Sequence, residues 1–203
     1  HSPIKTYCDR LDKFIEIYKA FEEVIVKEFP TTIINIENRC NNRHKAKGGL
    51  FLLSNTDDIK KLCDLISRHK SKLKIVIDIP QLLSEHQRLS GRLNNPLLSK
   101  KEIEKVLSSI RNIAGLISGT HIWGYDINQK RGAHKADFDT YFGNNPELKK
   151  CFINEICNLF DDDQKRYFVP EVDDSSKIGS IVTDLIEESK IDKKPRIQFV
   201  DPD

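Results

Sequence analysis

Apolar residues recur along this chain with two alternating periods. From Tyr7 to Lys27 the positions Cys8, Leu11, Phe14, Tyr18, Phe21 and Ile25 are three or four apart, with Asp, Glu and Lys between them. That spacing predicts an amphipathic helix. Pro30 ends it, and the β-branched run from Thr31 to Ile36 predicts a strand closing on Glu37. A polar loop from Asn38 to Gly49 leads to a second helical pattern, Asp57 to His69, carried by Ile59, Leu62, Cys63 and Ile66. Leu73 to Ile77 predicts a strand ending at Asp78, and Pro80 opens a short helix through PQLLSEHQR. Asn94-Asn95-Pro96 is a turn, and Ser99 with Glu102 forms a capping box for a helix running to about Ala114.

Leu116 to Ile122 predicts a third strand, Leu148 to Phe160 a helix entered through Asn145-Pro146, Tyr167 to Val172 a fourth strand containing Glu171, and Ile178 to Glu188 a last helix. The tail segment PRIQFV adds a short strand or packs against the rest. Strands alternating with helices imply parallel strands and right-handed crossovers, hence an α/β layer or barrel. Four strands make an open sheet, or half of an eight-stranded TIM-type barrel in which functional groups sit at the C-terminal strand ends.

Composition narrows this only a little. The 203 residues fit one α/β domain, 1–203. With 33 basic and 31 acidic residues the formal charge is +2, which excludes a strongly basic nucleic-acid wrapper and leaves room for a local basic surface. Five cysteines without a CxxC pair read as reduced thiols, so a cytoplasmic setting is expected. No apolar run reaches the roughly 20 residues that span a bilayer, so no membrane partner is expected. The chain opens at His1 and holds no methionine, which reads as a processed product, a trimmed chain or a fragment.

The candidate chemistry lies where strands end. Glu37, Asp78, His121 and Glu171 occupy four consecutive strand exits, and His134 and Asp137 follow in the loop after the third. In a parallel sheet all these exits lie on one side. Any one of these carboxylates serves equally well as a helix cap or ion-pair partner, and His121 alone could be a core histidine; four exits together point to a shared cation. Mixed carboxylate and imidazole donors suit Mn²⁺ or Zn²⁺, or Fe²⁺ or Co²⁺, better than Ca²⁺. Three adjacent carboxylates, Asp161 to Asp163, form a solvated helix end or a second cation site. Trp123, Tyr125, Phe138, Tyr141 and Phe142 serve as core, lid or stacking platform.

These motifs resemble the second half of the xylose-isomerase-like barrel superfamily, which includes endonuclease IV-type abasic-site nucleases, ultraviolet-damage endonucleases and sugar isomerases and epimerases. His1-Ser2-Pro3 resembles the end of the family's fourth strand, and INIEN, from Ile34 to Asn38, the fifth-strand motif whose glutamate bridges metals. IVIDIPQL resembles the sixth-strand motif, GTHIWG the seventh-strand histidine, AHKAD the loop after it, and FVPEV the eighth-strand glutamate.

The resemblance implies metal ligands at His1, Glu37, Asp78, His121, His134, Asp137 and Glu171, holding one to three ions. It also implies catalytic roles for Glu37, Glu171 and His134. Two positions depart from the pattern: Gln81 stands where the nucleases carry a histidine, and Ala136 stands where a loop ligand belongs, which makes Asp137 its substitute. One or two ions fit those departures better than three.

The expected activity is divalent-metal-dependent phosphodiester hydrolysis on nucleic acid. Arg39, Arg43, Lys45, Lys47, Gln81, Trp123, Lys130 and Arg131 would contact the substrate. The alternatives are a metal-dependent sugar or sugar-phosphate isomerase or epimerase, and a non-catalytic barrel-derived module in a larger assembly. The family's first three strands have no counterpart here, and the resemblance further implies that the missing half of the barrel comes from another chain or an upstream segment.

Overall fold

The computed structural model describes residues 2–5, 8–41, 50–91, 98–126, 128, 133–191 and 194–195. The first helix, α1, runs Leu11–Glu28 and leads into strand β1, Asn35–Glu37. Helix α2, Thr56–Arg68, begins at Asn55, whose side chain accepts from the amides of Asp57 and Asp58. Strand β2, Lys74–Asp78, passes straight into α3, Ile79–Leu89, and Asp78 caps that helix by accepting from the Gln81 amide. Ser99 and Glu102 close the capping box that opens α4, Lys100–Ser109. The helical pattern expected to reach Ala114 stops at Ser109 and tightens into a 3-10 turn, Arg111–Leu116.

Strand β3, Ile117–Ile122, follows. The predicted opening loop then holds a hairpin, β4 (Gly124–Tyr125) against β5 (Ala133–Ala136), and a single turn α5, Phe138–Tyr141. Helix α6, Pro146–Leu159, is capped by Asn145 and starts on proline. Strand β6 is Tyr167–Pro170, helix α7 is Ser175–Glu188, and a last pair, β7 (Lys190–Ile191) and β8 (Lys194–Pro195), closes the described chain.

The main sheet has the order β1-β2-β3-β6 and every pair in it is parallel. Strands laid down in sequence order by right-handed crossovers put all their connecting helices on one face. Burial agrees. Ile36, Ile75, Ile77, Ile117 and Ile122 join one apolar cluster with α1, α2, α4, α6 and α7. On the opposite face Tyr167 and Val169 are exposed. The α/β parallel sheet is therefore present with four strands, covered by helices on one side. The acidic turn has a structural use, because Arg166 pairs with Asp162 through both of its terminal nitrogens.

Two corrections to the sequence reading concern the strands. The run Thr31–Ile36 forms a strand only from Asn35, because β2 reaches no further back than the Lys74 amide on the Ile34 carbonyl, and Ile33 is exposed. Strand β6 ends at Pro170, so Glu171 lies just beyond it and not within it.

Strand β3 also carries one residue more than its partner. Ile75 pairs with Ile117 but Val76 pairs with Gly119, leaving Ser118 as the extra residue. The Ser118 hydroxyl donates to Asn35 Oδ1 at 2.5 Å and to the Ile75 carbonyl at 3.2 Å. Because side chains alternate with period two, this bulge keeps Ile117 on the helix face and turns Gly119 and His121 to the open one.

Gly119 is needed where it stands, since a Cβ there would lie 2.7 Å from the Tyr167 carbonyl oxygen on β6. Gly119→Ala is expected to destabilise the fold by about 1–3 kcal/mol through overpacking, read as a lower urea midpoint at unchanged slope; an unchanged midpoint would mean the two strands can separate freely.

Candidate metal centre

Four of the residues expected at strand exits come together. One ligand-type atom each from Glu37, Asp78, His121 and Glu171 lies within 4.8 Å of the others. Register explains how. Glu37 is opposite Val76, Asp78 opposite His121, and His121 opposite Val169, so all of these lie on the face opposite the buried isoleucines, and Glu171 continues the same phase. Strands β1 and β6 are three spacings apart, roughly 14 Å in a flat sheet, and the two glutamates meet by reaching inward across the middle strands.

His121 is the hub. Its Nδ1 lies 3.1 Å from Glu37 Oε1 and 3.4 Å from Glu171 Oε2. These are ion-pair distances without hydrogen-bond alignment: Nδ1 is buried and receives no hydrogen bond of ordinary geometry. The Glu37 carboxylate nevertheless raises the imidazole pKa, burial opposes this, and the charges of Glu171 and Asp78 add to the rise.

Asp78 is fully buried, and burial pushes its carboxyl up to about 7 against the lowering effect of hydrogen bonds from Gln81 and Trp123. The Gln81 amide donates to Oδ1 at 2.9 Å and Gln81 Nε2 to Oδ2 at 2.8 Å. Trp123 Nε1 donates to both oxygens at 3.0 Å.

The backbone at this corner is braced by a residue that sequence reasoning passed over. The side-chain amide of Asn38 donates to the Asp78 carbonyl at 3.1 Å and accepts from the Asp78 amide at 2.8 Å. It ties the exit of β1 to the exit of β2, so Glu37 and Asp78 keep a fixed separation. Gln81 extends the brace by accepting from the Cys40 amide at 2.9 Å. Glu85, also fully buried, accepts from the Asn41 amide and side chain and pairs with Arg88. An Asn directly after the strand-end Glu was the available signal, but an Asn in a loop has many uses.

The other expected site residues sit differently. His134 is outside the four-residue group, at the hairpin, with a left-handed φ of 61°. Its Nδ1–H donates to the Glu171 carbonyl at 2.7 Å, which leaves Nε2 as the basic nitrogen. Its ring packs against Trp123, tilted by 33° with centroids 4.3 Å apart. Asp137, expected as a substitute ligand, caps α5 instead by accepting from the Thr140 amide at 2.9 Å.

Trp123 and Gln81, expected against the substrate, are both buried and both donate to the Asp78 carboxylate. Phe138 and Phe142 are core, packed on Phe152. Arg39 lies with its guanidinium over the Phe51 ring. His1, Arg43, Lys45, Lys47, Lys130 and Arg131 lie outside the described residues. The Ser2 amide donates to the Glu37 carbonyl at 2.9 Å, which brings Ser2 to this same corner.

The donor set, three carboxylates and an imidazole, fits a first-row divalent ion. Within the hairpin, β4 and β5 approach closely at Gly124, where a Cβ would lie 2.5 Å from the Ala136 carbonyl oxygen. Among the described residues no helix is long and apolar enough to cross a membrane, and all five cysteines are free. Compared with protein-family models, with curated proteins and with solved structures, the chain matches none.

Two raised pKa values set a pH dependence. For both Asp78 and His121 the folded value exceeds the unfolded one, so their contributions favour the folded state at low pH. The Asp78 contribution fades as pH rises from about 4 to about 7, and that of His121 fades above about 6.5. The metal-free protein is therefore expected to lose melting temperature between pH 5.5 and pH 8 relative to an Asp78→Asn variant, whose position 78 does not titrate. Parallel curves for the two proteins would show that Asp78 titrates normally.

Proposed function

We propose that this chain belongs to a divalent-metal-dependent phosphodiester hydrolase acting on nucleic acid, its sheet serving as one half of a (βα)₈ barrel. The observation that carries the metal reading is the convergence of Glu37, Asp78, His121 and Glu171 from four separate strands. Such a gathering of carboxylates at strand exits is costly in the absence of a neutralising charge. The barrel reading is supported by the in-order parallel strands, by helices on one face only, and by the exposure of Tyr167 and Val169 on the other. A parallel sheet is ordinarily buried on both faces. In this reading the missing strands, from another chain or an upstream segment, would cover that face and complete the site.

In the mechanism these residues suggest, Glu37, His121 and Glu171, with Asp78 beside them, would hold one divalent ion of the Mn²⁺, Zn²⁺, Fe²⁺ or Co²⁺ type. When bound, such an ion would supply Lewis acidity, polarising a phosphate P–O bond and lowering the pKa of water so that hydroxide is available at neutral pH. His134, its Nδ1–H held by the Glu171 carbonyl, exchanges a proton at Nε2. Arg39, together with Arg43, Lys45, Lys47, Lys130 and Arg131, neutralises backbone phosphates on either side of the scissile bond.

A second reading, metal-dependent isomerisation of a sugar or sugar phosphate, draws on the near balance of 33 basic and 31 acidic residues, which suits a small substrate as well as a polymer.

The test is cleavage of end-labelled DNA and RNA, including abasic and ultraviolet-damaged duplexes, with Mn²⁺ or Zn²⁺, beside an aldose–ketose conversion panel. Glu37→Gln is expected to lower the cleavage rate at least 100-fold, and chelation to abolish it. Turnover of a sugar with intact nucleic acid would replace the first reading with the second. Metal binding without either activity would leave only a binding module.

A further inference from the structure

Proximity alone counts Asp78 among the ligands, but its hydrogen bonds argue otherwise. An ionised carboxylate has about four lone-pair positions. On Asp78 one oxygen accepts from the Gln81 amide and the other from Gln81 Nε2. Trp123 Nε1 stands 3.0 Å from each oxygen, in the cleft between them, which is the position a chelated cation takes. Four contacts from three N–H groups therefore use the whole carboxylate, which is also fully buried. Glu37, His121 and Glu171 are each partly exposed, with 13%, 23% and 45% of their side chains accessible.

We infer that Asp78 does not bond the cation: Trp123 and Gln81 hold it as a positioning carboxylate, and this chain offers one ion a three-residue set, Glu37, His121 and Glu171. Three protein ligands leave open coordination positions, the pattern of a catalytic rather than a structural centre. Asp78 acts from within 4.8 Å of the ligand atoms by its charge and through Trp123, whose ring also supports His134. This inference rests on the metal reading above and adds which side chains touch the ion and how many ions they hold.

The experiment is Co²⁺ titration of the full chain, with bound metal counted by elemental analysis, the visible absorption band recorded and folding followed by circular dichroism. Wild type is expected to bind one Co²⁺ per chain. Asp78→Asn is expected to keep that stoichiometry and band shape with affinity lowered about 10–100-fold, as for loss of an outer-shell group. Glu37→Gln and His121→Ala should lose the band.

Trp123→Phe keeps a ring on His134 but vacates the cleft of the carboxylate. It is expected to change the band as Asp78 gains access to the ion, and the double variant Trp123→Phe with Asp78→Asn should restore the original shape. A merely structural Trp123 would lower stability without moving the band. A folded Asp78→Asn protein that loses or reshapes the band overturns the inference while the metal reading stands. If Asp78→Asn does not fold, an unchanged band in Trp123→Phe overturns it equally. Wild type that binds no Co²⁺ sinks the metal reading and this inference together.

Discussion

Everything in this molecule depends on the phase of side chains along four parallel strands. Alternation sends every second residue to the helix face, where Ile36, Ile75, Ile77, Thr120 and Ile122 are buried, and sends the intervening ones to the other side. The acidic and imidazole groups are the last members of the second set. Because the strands run parallel, their ends coincide, and a cluster forms from residues far apart in sequence. The arrangement holds only while the Ser118 bulge is in place. If the same six residues ran as a regular strand, with Ser118 taking a place in the alternation, Ile117 and His121 would share a face, and either the core would lose an isoleucine or the cluster would lose its hub.

The same topology leaves surface uncovered. Tyr167 and Val169 line the open face, and on α1 the residues Ile17, Phe21 and Val24 form an exposed apolar stripe distinct from the buried face of Leu11, Ile15 and Tyr18. Exposed apolar area of this kind on a parallel sheet and its flanking helix is what a neighbouring layer ordinarily covers. The site and the bare face are consequences of one fact, that helices stand on one side of the sheet only.

Electrostatically, the corner trades stability for readiness. Buried Asp78 is held near neutrality in pKa by desolvation, and His121 is drawn toward its charged form by Glu37 and Glu171. The polar brace beneath, from Asn38 through Gln81 to the Asn41–Glu85–Arg88 group, is well provided with hydrogen bonds, so rigidity is concentrated under the cluster. Each of these side chains fixes another in place, so that Glu37, His121 and Glu171 need not pack against one another to stay where they are.

The order of elements was legible in the sequence because it follows from local causes: the helical spacing in α1, α2 and α6, the capping box at Ser99, the Asn-Pro start at Asn145 and the β-branched runs of β1 and β2. The four strand-end residues were legible too, since parallel alternation obliges their exits to share one side. What the sequence left open are matters of distance and partnership. Whether His121 faced the core or the site depended on a bulge that no local pattern announces. Asp137 looked like a ligand and became a helix cap because the Thr140 amide lay within its reach. Trp123, open in sequence between core, lid and stacking platform, became a donor to Asp78, and Asn38, the first residue of a polar loop, became the clamp between two strands. Each of those outcomes depends on a neighbour 3 to 45 positions away, and only folding decides which neighbour that is.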